Sequence, residues 1–197
     1  MDVQPKLILA SASVRRMELL AQVDVVPDAV CPADVDETPY PGERSREYAA
    51  RMAVAKCRAV LEPSALVLAA DTVVSAGRRI LGKPGGKAEA AEFLSLLSGR
   101  RHRVTTAVCV RLGGLERTKL VETRVQVKRL SEAELSAYLR SGEWQGKAGG
   151  YAIQGRAAAF IPWISGSYTN VVGLPLSETM TLLGGIGYPV PLQAGEA

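Results

Sequence analysis

The chain has 197 residues, enough for one domain or two small lobes and too few for two independent enzymes. Its composition, 47% hydrophobic and 22% charged, excludes wholesale disorder. No apolar run reaches the ~18 residues of a spanning helix, because the most apolar stretch, residues 65–76, is broken by Asp71. A net charge of +4, with like charges no denser than pairs and 5% aromatic residues, suits a small anionic ligand better than a nucleic acid.

The N-terminal segment is too short in apolar residues for a signal sequence, so a cytoplasmic protein is expected. Residues 6–10 read as a short buried strand, followed by a turn and a helix over residues 14–22 with Ser13 as its N-cap. The turn holds Ser11, Ser13, Arg15 and Arg16. A helix N-terminus with two hydroxyls and two guanidiniums matches phosphate oxygens, although an N-capped surface helix explains the same residues. Residues 27–41 read as a loop with one short strand. Its acids Asp34, Asp36 and Glu37 are either solvated or available to a metal.

Residues 44–61 form a helix by their three- and four-residue apolar spacing, with Lys56 inside it. Residues 66–70 read as an apolar strand ending at Asp71. A carboxylate there can face a ligand crevice, holding a metal or taking a proton from water, or can merely cap a turn. A hairpin turning at Gly77 follows. Residues 77–83 imitate the start of a phosphate-binding loop, but Pro84 stands where a Ser or Thr hydroxyl would be needed, which excludes it; Lys83 remains a point charge.

A helix over 87–97, a strand over 104–112, a turn at Gly113-Gly114 and a returning strand over 121–127 come next. Ser131 and Glu134 form a capping box that opens a helix to about Arg140. The glycine-rich segment 142–155 carries Lys147 and Gln154, and the Gln154 amide has the donor and acceptor that reading a base edge requires. A strand over 160–164, a turn at 165–167 and a helix over 175–183 complete the pattern, with a loose tail after about residue 188. This order predicts an α/β protein with a mixed sheet. Cys31, Cys57 and Cys109 are too far apart for a metal or disulfide framework and are expected to be reduced and mostly buried; the single His102 is expected to be structural. Residue chemistry alone leads to phosphoester chemistry on a small molecule.

Eight blocks in order, LILASASVRRMELL, DVDET, YAARMAVAKCRAV, LAADTVV, ILGKP, LSGRRHRVTTAV, GKAGGYAIQG and GSYTNVVGLPL, resemble the Maf family of nucleoside triphosphate pyrophosphatases. The resemblance runs from Leu7 to about Glu178 and departs at Val14, where Pro is usual, and at Ala12, where Gly is frequent. It implies a single domain over residues 1–197: an elongated mixed sheet with flanking helices and a cleft between two lobes, as in inosine triphosphate pyrophosphatases. It also implies hydrolysis between the α- and β-phosphates with Mg2+ or Mn2+. On this resemblance Asp71 is the proton acceptor, and Ser11, Arg15, Arg16, Lys56 and Lys83 bind phosphate. Asp71 and Glu37 are the expected metal ligands. Arg15, Thr72 and Gln154 match the branch acting on dTTP and UTP, whereas the 7-methyl-GTP branch tends to carry Trp, Gln and Glu there. The resemblance allows a homodimer and a role in septum inhibition, and implies no membrane or nucleic-acid partner.

Overall fold

The computed structural model describes residues 5–191, so the first four residues and the last six of the expected loose tail lie outside it. The strands are β1 (Leu7–Leu9), β2 (Ala29–Val30), β3 (Leu66–Ala76), β4 (Arg79–Leu81), β5 (Arg101–Leu112), β6 (Leu115–Gln126) and β7 (Trp163–Ser165). The helices are α1 (Val14–Ala21), α2 (Ser45–Ala59), α3 (Lys87–Leu97), α4 (Glu132–Ser141), α5 (Tyr168–Val172) and α6 (Leu176–Gly185). Short 3-10 turns occupy Ala148–Gly150 and Arg156–Phe160.

One seven-stranded sheet runs in the order β2-β1-β3-β5-β6-β7, with β4 paired to β3 beside β1. β1 lies parallel to β2 and β3, and the other pairings are antiparallel. The mixed α/β architecture is therefore the expected one. Alternation along β3 decides what each face meets. Leu66, Leu68, Ala70 and Val74 join the main core, while Val67, Ala69 and Val73 pack with Ala49, Ala53 and Cys57 of α2.

The edge of β3 toward β1 changes partner along its length. β1 covers Leu66–Leu68 and β4 covers Val74–Ala76. Between them no strand among the described residues takes that edge, and the chain leaving β1 turns into α1 there. This interruption is what makes room for a site.

Several elements differ from expectation. β3 does not end at Asp71 but runs through Asp71 and Thr72, because β5 pairs with both, placing Ala107 and Thr106 opposite them. Residues 156–160 form a 3-10 turn, and β7 starts only at Trp163. The sequence reading missed α5, although its signal is present: the Ser167 hydroxyl accepts from the Asn170 N–H. Buried Asn170 then donates to the Val104 carbonyl and to Thr123 Oγ1, fixing α5 on the sheet. Tyr188 and Val190 are buried in the main core, so the chain there is not loose. Cys57 and Cys109 are buried and Cys31 is exposed, all three as free thiols.

Candidate active site

A cleft of about 650 Å³ opens at the interrupted edge of β3, within the size range of small-molecule sites. Ser11, Arg15, Arg16, Glu37, Lys56, Asp71, Thr72, Lys83 and Gln154 all line it, although the sequence spreads them over six segments. Asp34 and Asp36 do not; the Asp36 carboxylate instead accepts from the Thr38 N–H.

Neighbouring residues on a strand point to opposite faces, and that rule divides the site at Asp71 and Thr72. On the α2 face, Asp71 is buried and its Oδ1 accepts from Lys56 Nζ at 2.6 Å. The same ammonium lies 2.7 Å from Glu37 Oε1. Lys56 is therefore not a solvated helix residue; its side chain is only 11% exposed and bridges two carboxylates. Burial would raise the Glu37 pKa, but Lys56, with Lys83 and Arg16 behind it, holds it below the ordinary value.

The loop that carries Glu37 is strapped along α2. The Tyr48 hydroxyl donates to the Glu37 carbonyl. Arg51 donates to both Glu43 oxygens and to the Thr38 carbonyl, and its guanidinium lies 3.9 Å from the Tyr40 ring centroid.

On the other face, Arg16 is buried among polar partners. Its Nε donates to the Gly173 carbonyl, Nη1 to Ser11 Oγ and Nη2 to Thr72 Oγ1. The Thr72 hydroxyl lies 3.0 Å from Thr106 Oγ1, which donates to the Asn170 carbonyl, so a single chain of donors runs from Arg16 to α5. Gly173 has φ +138°, a conformation that favours glycine, and this aims its carbonyl at Arg16. Burial lowers the Arg16 pKa to about 10, against the opposing pull of Asp71, which leaves it charged at neutral pH.

Ser13 occupies the N-cap position but makes no side-chain cap. Ser11 Oγ takes the Ser13 N–H instead, leaving the Ser13 hydroxyl to the cleft that it lines. Among the described residues Arg15 spends only its Nε, on the Val172 carbonyl. Lys83 is exposed at the rim, without an ion pair among the described residues, and Gln154 is likewise exposed. Sequence reasoning missed two contributors: Lys147, which it assigned to a base-reading loop, and the carbonyls of Val172 and Gly173, which side-chain patterns do not reveal.

Behind the cleft, His102 Nε2 lies 2.7 Å from the Tyr151 hydroxyl. Burial pushes the His102 pKa down to about 4, so the ring is neutral at pH 7 and plays the structural part expected of it. Its folded value lies below the unfolded ~6.5, so its contribution is complete above pH ~6.5 and lost as pH falls toward 4, at up to about 1.4 kcal/mol per unit. Thermal melts over this range should show a shallower acid decline for H102Q than for the wild type; parallel curves would refute the assignment.

The site can therefore surround a polyanion with cations and present one buried carboxylate to it. Among the described residues no group of three or more His, Cys, Asp or Glu forms a metal cage. Comparison with known proteins agrees with this chemistry. The family profile described as Maf-like protein matches residues 6–186. A dTTP/UTP pyrophosphatase of Cereibacter sphaeroides is 60% identical over 93% of this chain and 96% of its own length. Another dTTP/UTP pyrophosphatase, from Ruegeria, is 59% identical over 93% and 95%. Among solved structures, a HAM1 protein from Coxiella burnetii superposes with a TM-score of 0.52, covering 92% of this chain and 99% of that one; at 15% identity the likeness is one of fold.

Proposed function

The chain belongs to the Maf family, and on that premise we propose that it hydrolyses dTTP and UTP to the nucleoside monophosphate and pyrophosphate. The observation that carries the reading is the placement of Asp71, a buried carboxylate lining a cleft among cations from four separate segments. A triphosphate needs that charge compensation, and attack at its α-phosphorus needs one base near the water.

In this reading, water attacks the α-phosphorus as a new P–O bond forms. The bond from the α-phosphorus to the bridging oxygen breaks, and its electron pair leaves with pyrophosphate. Asp71 accepts the proton released by water. Lys56 occupies Asp71 Oδ1, which orients the carboxylate and leaves Oδ2 as the acceptor. Arg16 spends three of its five N–H groups internally and keeps two for phosphate oxygens. Ser11 Oγ accepts two hydrogen bonds, so its own proton can be donated.

Mg2+ or Mn2+ fits beside Asp71 and Glu37, whose oxygens already converge on a cationic group, the Lys56 ammonium. Two carboxylates are few for such an ion, which suits one that takes most of its ligands from phosphates and water. Its contribution when bound is to neutralise phosphate oxygens. Gln154 at the rim reads the pyrimidine edge. Thr72, already engaged with Arg16 and Thr106, acts on specificity by holding Arg16.

Incubating the protein with Mg2+ and each nucleotide in turn tests the reading. dTTP and UTP should disappear with one pyrophosphate released per nucleotide. Release of orthophosphate, or preferential consumption of 7-methyl-GTP, would overturn it.

A further inference from the structure

The cleft contains more positive charge than its acids balance. Three acids line it against five cations: Glu37 and Asp71 both pair with Lys56, and Glu18 lies near Arg15 without an ion pair to it. Arg15, Lys83 and Lys147 remain, and none is ion-paired among the described residues. Lys147 spends one donor on the Gln145 carbonyl at 3.2 Å, while nearby Glu143 is engaged by Arg156.

The backbone holds Lys147 in place. The Gly149 N–H donates to the carbonyl of Gly82, the residue before Lys83, and the Gly150 N–H donates to the carbonyl of Lys147 itself. Gly149 has φ +69°, and a Cβ there would meet Val74 Cγ1 at 2.8 Å, so the loop lies flush against β3. Two segments bearing lysines are thus tied together at one wall of the cleft.

We propose that Lys147 is a phosphate-binding residue that, with Arg15, grips the pyrophosphate portion of the substrate; this rests on the triphosphate reading above. Arg15 and Lys147 line the same cleft and repel each other, with Glu18 attracting the one and Glu143 the other but neither forming an ion pair with them, and an anion placed between the two cations relieves that repulsion. Burial and the Arg15 charge both depress the Lys147 pKa, which is consistent with this closeness. The β- and γ-phosphates carry most of the substrate's charge, so they are the part these surplus cations match.

The electron pair of the breaking bond goes to pyrophosphate, so a cation gripping that portion acts on affinity and on turnover together. K147M should therefore weaken pyrophosphate binding, measured by calorimetry with Mg2+, by about ten- to a hundredfold, as expected for loss of a charge-assisted hydrogen bond. The kcat/KM for dTTP should fall at least as much, and K147R should recover most of the binding. Pyrophosphate bound by K147M within twofold of wild type, or not bound by the wild type at all, overturns the assignment. If wild-type protein binds pyrophosphate but turns over neither dTTP nor UTP, the triphosphate reading fails, while the binding comparison still decides the role of Lys147.

Discussion

D71N should lose about a thousandfold in dTTP turnover, within the range that positioned acid–base groups contribute, while keeping its fold. The amide oxygen can still accept from Lys56, so the ammonium is not stranded, and Glu37 remains as its second partner. What disappears is a group able to take a proton from water. Asn rather than Ala is the informative replacement, because Ala would also remove one of the two acceptors that hold Lys56. Turnover and melting temperature together check the expectation: kcat should collapse while the melt shifts by only a few degrees. Activity within tenfold of wild type would remove Asp71 from the role of proton acceptor.

The second large effect is on stability as well as turnover. R16A should cost on the order of 3 kcal/mol, a drop of roughly 6–12 °C in melting temperature for a chain of this size. Arg16 is buried, and its loss takes the charged donor from the Gly173 carbonyl, Ser11 Oγ and Thr72 Oγ1, leaving Gly173 only the 3.3 Å contact from the Thr72 hydroxyl and removing the head of the chain of donors that reaches α5. R16K should restore only a minority of this stability, because an ammonium lacks the planar fork that serves Nε, Nη1 and Nη2 partners in three directions. Urea unfolding measures the stability, and an unchanged midpoint in R16A would show that the Arg16 contacts contribute nothing net. Sequence alone presents Arg15 and Arg16 as an equivalent pair, yet the structure gives them different work: Arg16 braces the floor, while Arg15 keeps most of its donors free.

Much of the fold is legible from local chemistry. The capping box at Ser131 and Glu134 appears as read, since both halves lie within one turn of helix. Helix 87–97 matches residue for residue. The errors lie where distant partners decide. Asp71 looks like a strand terminus because an acid ends an apolar run, but the β5 ladder carries the strand past it. The strand expected over 160–164 is shortened at its start, because Phe160 closes a 3-10 turn and the ladder with β6 begins only at Trp163, opposite Gln126.

For the site, residue types led to phosphate and the family resemblance supplied the positions. Lys56 illustrates the limit. Nothing in its helix marks it, and its meaning comes from Asp71 and Glu37, which lie across the sheet face and on a separate loop. Lys147 was hidden for a related reason, because a glycine-rich loop gives no indication of which wall it will lie against.

The strapping of the Glu37 loop onto α2 bears on how tightly a nucleotide can be held. Freezing a residue's backbone costs about 1–2 kcal/mol, and a loop that orders only around its ligand takes that cost out of affinity. Here Tyr48, Arg51 and Lys56 fix the segment from Glu37 to Glu43 through contacts within the chain itself. This wall is thus preorganised, and the entropy of ordering it was met when the chain folded rather than when the nucleotide arrives.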